Sequence, residues 1–127
     1  MGRQDYHWQH EPILYGWKPG AKHRWYSDRK QSTVLQFDRP VKSEEHPTMK
    51  PLDLVGYLLK NATKKGHTVI DGFSGSGSLF ICAEQLDRIC YGMELDPRFC
   101  DVIVNRWEQL TGKKAKRIPL YASKKAA

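Results

Sequence analysis

The residues best equipped for chemistry are Asp71-Gly72-Phe73-Ser74-Gly75-Ser76-Gly77-Ser78, followed downstream by Glu94. Val69 and Ile70 lead into an acidic residue, and the glycine- and serine-rich run then opens into a segment of helical apolar spacing. Gly75 and Gly77 carry no Cβ, so backbone N–H groups there can approach a ligand closely. A helix beginning behind them favours negative charge at its N-terminus. Glu94, at the end of the next apolar run, is placed to accept hydrogen bonds from ribose hydroxyls. The chemistry on offer is the cradling of a nucleotide-like ligand. Two common forms of such a cradle fit poorly. The dinucleotide pattern G-x-G-x-x-G wants a third glycine where this chain has Phe80, and no Gly-Lys-Ser/Thr ending marks a P-loop.

A strand, a tight turn and a helix must position these groups. Val69 to Phe73 reads as the strand, and Leu79, Cys82, Ala83 and Leu86 mark one face of a helix running to about Asp87. Ile89 to Met93 reads as a second strand. Asp96 is a good N-cap and Pro97 a good first residue for the next helix, whose inner positions are Phe99, Val102, Ile103, Arg106 and Leu110 and which Gly112 ends. Upstream, Leu52, Val55, Leu59 and Ala62 with Leu58 predict a helix opened by Pro51 and closed by Lys64-Lys65-Gly66. Strand, helix, strand, helix is the beginning of an open, mostly parallel α/β sheet with right-handed crossovers. Nearer the N-terminus, Ile13 to Tyr15 and Thr33 to Phe37 read as short strands of an N-terminal β-hairpin. The stretch from Gly16 to Lys30 is rich in Lys, Arg, His, Trp and Tyr, which suits either a solvated connection or a nucleic-acid contact surface. A further short strand is expected near Ile118 to Tyr121.

Composition bounds the partner. Lys and Arg outnumber Asp and Glu by 21 to 14 in 127 residues, a formal charge of +7, which favours a polyanion. The length suits one compact domain. No apolar run approaches a membrane span and the first ten residues hold no signal-peptide core, so no membrane association is expected. Cys82, Cys90 and Cys100 fall within apolar segments at spacings that are neither C-x-x-C nor a disulfide framework, and they read as small core residues in a reducing compartment. His7 and His10 form an H-x-x-H pair without a cysteine or helical partner, and no metal is expected.

The run D-x-F-x-G-S-G-S closely resembles motif I of the DNA methyltransferases that methylate exocyclic amines, adenine-N6 or cytosine-N4, with S-adenosylmethionine. His46-Pro47-Thr48-Met49-Lys50-Pro51 matches that family's motif X, H-P-T-x-K-P. Gly92, Glu94, Asp96, Pro97 and Phe99 match its G-x-E-x-D-P-x-aromatic element, and the stretch from Arg106 to Ala115 matches a later R-W-E-x-x-T-G-K-K-A run. These four stretches, in order, carry the resemblance over about His46 to Ala115, and more loosely it extends over Glu11 to Pro40. The resemblance implies a partial class I, Rossmann-like methyltransferase fold. It assigns Phe73, Gly75, Ser76 and Gly77 to the surroundings of S-adenosylmethionine, Asp71 to its methionine amino group and Glu94 to the ribose. Thr48, Lys50 and Pro51 are expected to close over the methionine end, with Lys50 neutralising the carboxylate. His46 is expected to shape a turn and Asp96 to cap a helix. The domain reading that follows is 1–45 as hairpin and DNA-facing loop, 46–121 as the S-adenosylmethionine-binding core, and 122–127 as a basic tail.

Motif X ahead of motif I is the order of the permuted class, whose catalytic motif, Asp/Asn/Ser-Pro-Pro-aromatic, lies in the N-terminal half. Its side chain and proline carbonyl accept hydrogens from the target amine while the aromatic ring stacks on a flipped base. This chain has no Pro-Pro dipeptide; Asp96-Pro97-Arg98-Phe99 lacks the second proline and sits on the ribose side. No catalytic residue is therefore assigned. The expectation is the cofactor-binding C-terminal portion of a DNA methyltransferase, partnered by DNA and completed by an N-terminal catalytic half, either in a longer chain or on a separate one, in the cytoplasm of a bacterial, phage or mobile-element setting. The alternative is a non-catalytic remnant that binds S-adenosylmethionine, DNA or both.

Overall fold

The structure, a computed structural model, describes residues 5–7, 9–38 and 50–119. Helix α1 spans Leu52–Ala62, strand β1 Thr68–Asp71, helix α2 Ser78–Gln85, strand β2 Ile89–Gly92 and helix α3 Pro97–Thr111. β1 and β2 pair in parallel with Thr68 opposite Ile89 and Asp71 opposite Gly92. Parallel neighbours need a crossover, and α2 supplies it. The expected α/β order is thus present.

Local signals account for the helix boundaries. Pro51 has φ −57 and ψ 130 and accepts the Val55 N–H at 3.2 Å, so it caps α1 rather than forming its first residue. Proline costs nothing there, because the first amides of a helix lack intrahelical partners. Thr63 closes α1 by donating its N–H to the Leu59 carbonyl at 2.8 Å and its hydroxyl to the same oxygen at 2.5 Å. The Lys64-Lys65-Gly66 run therefore follows the helix as a turn, with Gly66 at φ 76 donating to Asp87 at 2.6 Å. Asp96 caps α3 through the Arg98 N–H at 2.9 Å, Pro97 is its first residue, and Gly112 at φ 70 ends it, all as the sequence predicts.

Helix α2 packs against one face of the sheet, and α1 and α3 pack against α2. A Cβ on Gly92 would stand 2.5 Å from the Phe80 ring, so this face of β2 receives α2 directly. Phe80, which occupies the third-glycine position of the dinucleotide pattern, fills the space between helix and strand. Leu59, Ile81, Cys82 and Ala83 form the small buried core between α1 and α2. Strand alternation places Ile70, Ile89 and Tyr91 on the opposite face, where they are 75%, 50% and 62% exposed.

The N-terminal β-hairpin is not formed. Residues 13–15 and 33–37 are irregular, and Leu14 and Val34 are largely exposed. A strand needs a ladder partner for its backbone groups, and neither segment meets one. One backbone bond and several side-chain contacts anchor the region to α1 and the turn after it instead. Tyr26 N–H donates to the Asn61 carbonyl at 2.8 Å and Tyr57 Oη donates to Gln31 at 2.6 Å. The Lys64 ammonium lies 4.9 Å over the Tyr26 ring, and Phe37 meets Tyr57 at 5.9 Å. Ile118 and Pro119 are likewise irregular, while the rest of that expected strand lies outside the described residues.

Candidate functional site

The turn after β1 is built from its own backbone. Asp71 Oδ1 accepts the Phe73 N–H at 3.0 Å, ending the strand two residues earlier than Phe73. Met93 N–H donates to the Asp71 carbonyl at 2.8 Å, Ser74 N–H to the Met93 carbonyl at 3.0 Å, and Gly77 N–H to the Ser74 carbonyl at 2.8 Å. Gly75 and Gly77 adopt φ 52 and 77, a left-handed conformation that glycine enters without the Cβ penalty. Gly77 is also pressed from behind, since a Cβ there would meet Ile103 of α3 at 2.8 Å.

Three side chains brace this turn. Glu94 Oε2 accepts the Gly75 N–H at 2.6 Å while its Oε1 accepts the Asp96 N–H at 2.9 Å. Those donors, Asp96 first and Gly75 second, hold the Glu94 carboxyl below its ordinary value, so it is ionised at neutral pH. Arg106 Nη1 donates to the buried Ser76 carbonyl at 2.5 Å, a charge-assisted bond across 30 residues of chain. Ser78 Oγ donates to the Lys50 carbonyl at 3.2 Å, tying the start of α2 to the approach to α1. Sequence reading places Ser78 at the end of the glycine run and Arg106 on the inner side of the last helix, but names neither as a site residue. The available signal was the arginine itself, set among the apolar inner positions of α3.

In front of the turn lies a cleft of about 590 Å³. Lys50, Asp71, Phe73, Gly75 and Ser76 line it, over apolar contacts from Val55 and Leu79. Five of the expected site residues thus converge. Phe73 is 96% exposed at the rim. Lys50 forms an ion pair with Glu11, both side chains being more than half exposed. Pro51 adjoins as the α1 cap, Gly77 lies behind the turn as the α2 cap, and Glu94 braces the turn rather than lining the cleft. Thr48 and His46 lie outside the described residues. Asp96 caps α3 and is paired with Arg98 at 2.7 Å, which holds its carboxyl low. A smaller hollow of about 380 Å³ among Leu52, Ile81, Arg106 and Leu110 is lined by no acidic side chain. Among the described residues no group of three or more His, Cys, Asp or Glu could hold a metal, and no helix is long and apolar enough to cross a membrane.

A cation, a carboxylate, an exposed aromatic ring and a glycine turn at the carboxyl end of a parallel strand suit a nucleoside joined to a zwitterionic chain. The fold is that of the Rossmann-like methyltransferases. The crystal structure of the M1.HpyAVI–SAM complex matches with a TM-score of 0.59 and 23% identity, over 69% of this chain and 45% of that one. The chain belongs to the N6/N4 DNA methylase family, whose profile matches residues 3–105. It is 36% identical over 67 residues to type II methyltransferase M2.MboI of Moraxella bovis, covering 53% of this chain and 24% of that protein. With type II methyltransferase M2.DpnII of Streptococcus pneumoniae it shares 31% identity over 112 residues, 77% of this chain and 42% of the relative. The matched part of the chain therefore spans about a quarter of the first relative and under half of the second.

Proposed function

We propose that this chain is the S-adenosylmethionine-binding portion of a DNA methyltransferase acting on an exocyclic amine of adenine or cytosine. The observation that carries the reading is the convergence of Lys50, Asp71, Phe73, Gly75 and Ser76 on one cleft, within a family of DNA methylases. Lys50 would pair with the carboxylate of the methionine end and Asp71 would take its ammonium, with Thr48 and Pro51 alongside. Phe73 offers an apolar face for the adenosine. Glu94 keeps further lone pairs after accepting Gly75 and Asp96, and these would reach ribose hydroxyls. When bound, the cofactor supplies an electrophilic methyl group. The residues of this chain bind and orient it.

The partner reading rests on the open face of the sheet. Parallel sheets are ordinarily covered on both faces, yet Ile70, Ile89 and Tyr91 face outward here. Polypeptide bearing the Pro-Pro-aromatic motif would cover that face and present the target base. It would supply the catalytic groups absent from this sequence, and DNA is the substrate of the assembled protein.

Calorimetric titration with S-adenosylhomocysteine tests the cofactor assignment. Saturable one-to-one binding is expected, and a folded chain that fails to bind would refute it. Transfer of labelled methyl to mixed DNA by this chain alone would overturn the view that catalysis needs further polypeptide.

A further inference from the structure

A second chemistry lies outside the cleft, in the segment between Glu11 and Lys30. Tyr15, Trp17, His23 and Trp25 gather there. Tyr15 Oη and His23 Nε2 are 2.7 Å apart, and the Trp17 and His23 ring centroids are 4.5 Å apart. The Tyr15 ring stands 5.8 Å from Trp17 and 6.3 Å from Trp25. The Trp25 indole N–H donates to the Asp28 carbonyl at 2.7 Å, which fixes that ring. A cluster of four rings ordinarily seeds a core. Here Tyr15 and Trp17 remain 58% and 57% exposed, so aromatic faces stay open after the rings have packed.

The surroundings are cationic. Residues 16–30 hold Lys18, Lys22, Arg24, Arg29 and Lys30 against Asp28 alone. The Asp28 carboxylate is already engaged by the Lys30 N–H at 2.9 Å and by Gln31 at 2.5 Å. Aliphatic side chains, which a lipid surface or an apolar peptide would require, are missing from this stretch apart from Ala21. Open aromatic faces interleaved with cations fit a ligand that has both π-faces and backbone phosphates, and in a duplex those π-faces are hidden by stacking. The patch is also close to the cleft. Glu11 pairs with Lys50 of the cleft wall, and the four residues from Glu11 to Tyr15 span at most about 14 Å.

We propose that the Tyr15–Trp17–His23–Trp25 cluster and its basic flank bind unstacked DNA beside the cofactor cleft, Tyr15 and Trp17 stacking on bases displaced from the duplex. This deepens the DNA methyltransferase reading and rests on it. Stacking on Trp17 supplies the preference for opened strands, while Lys18, Lys22 and Arg24 supply affinity that salt weakens.

Tryptophan fluorescence of the full chain, titrated with a thymidine oligonucleotide, its abasic counterpart of equal length and a duplex, tests the proposal, with S-adenosylhomocysteine affinity measured alongside. Quenching by the thymidine strand is expected, with binding about tenfold tighter than to the abasic strand or the duplex. Trp17→Ala and Tyr15→Ala should each remove most of that preference and leave S-adenosylhomocysteine affinity unchanged. Lys18→Glu combined with Lys22→Glu should weaken all three ligands. Equal binding of thymidine and abasic strands by the unaltered chain would overturn the proposal, because the contact would then be electrostatic only. Tighter binding to a uridine RNA strand would overturn the assignment to DNA. Loss of S-adenosylhomocysteine binding with the strand preference kept would sink the cofactor reading and leave this one standing.

Discussion

The carboxylate of Glu94, just beyond β2, accepts the backbone N–H of Gly75, in the turn beyond β1, at 2.6 Å. The ends of the two parallel strands are thereby joined by a charged brace. The same carboxylate holds the Asp96 N–H at 2.9 Å, so one side chain sets both the glycine turn and the entry to α3. An acid at this position has two duties, and holding the turn in shape precedes any contact with a ligand.

That brace makes stability depend on pH in a definite direction. Glu94 is held below its ordinary 4.5 in the folded chain, so the native state favours the ionised form. The contribution is complete above pH 4.5 and is lost as pH falls through the depressed folded value. Thermal unfolding of the wild type should therefore weaken below pH 4.5 more steeply than that of Glu94→Gln, whose amide does not titrate. Parallel curves for the two proteins would exclude the linkage. At neutral pH, Glu94→Ala leaves two backbone N–H groups without their acceptor, and affinity for S-adenosylhomocysteine should fall by about tenfold or more.

Cys82 and Cys90 should be inert. Burial pushes the Cys90 thiol up to about 11, with the neighbouring charge of Asp71 adding to it, and burial raises Cys82 as well. The thiolate is the reactive form, so at pH 8 only about one Cys90 in a thousand is ionised, against about one in ten at the ordinary 9.0. Iodoacetamide labelling at pH 8, followed by peptide mass spectrometry, should run about a hundredfold slower at Cys90 in the folded chain than in urea. Comparable rates in the two states would contradict the structure around β2.

The helices and the parallel pair were legible because their signals are local. Proline and Asp96 announce helix starts, Gly112 announces an end, and apolar spacing separates helix from strand. The glycine turn was legible for the same reason, since only a few residues must agree. What escaped depends on partners distant in the chain. Ile13 to Tyr15 has the composition of a strand, but composition does not provide a neighbour to complete the ladder. Arg106 acts on a carbonyl 30 residues earlier, and nothing near it in the sequence names that target. Glu94 stood out by type and position as an acceptor for a ligand, whereas its bond to Gly75 emerges only when β1 and β2 lie side by side.

Gly77 combines two constraints that can be separated. Its φ of 77 costs a residue with a Cβ about 1–2 kcal/mol, and the Cβ would in addition lie 2.8 Å from Ile103 Cγ1. Gly77→Ala should therefore lower unfolding free energy in urea by more than the conformational cost alone. Ile103→Ala removes the two nearest obstructing atoms, Cγ1 and Cγ2, and keeps only the Cβ at 3.3 Å, so the double variant should recover most of the crowding part and retain the conformational part. Strict additivity of the two substitutions would mean that Ile103 does not press on the turn.

Arg106 offers the sharpest test of how the cleft is held open. Its guanidinium is the only described side chain that grips the turn from α3 by a hydrogen bond, and it does so at a carbonyl buried from water. Arg106→Met keeps the aliphatic packing of the stem but leaves the Ser76 carbonyl without that donor, which should cost about 1.5–3 kcal/mol. The loss should be local. Hydrogen exchange at the Gly77 amide, bonded to the Ser74 carbonyl, should accelerate, while the Met93 amide, bonded to Asp71 in the sheet, stays protected. Arg106→Lys carries the charge without the planar fork and should recover only part of the protection. Affinity for S-adenosylhomocysteine should follow the Gly77 amide across the three proteins, because a loosened turn must be reordered before it can bind. Uniform acceleration across both amides would instead make Arg106 a general stabiliser of α3, with no particular hold on the turn.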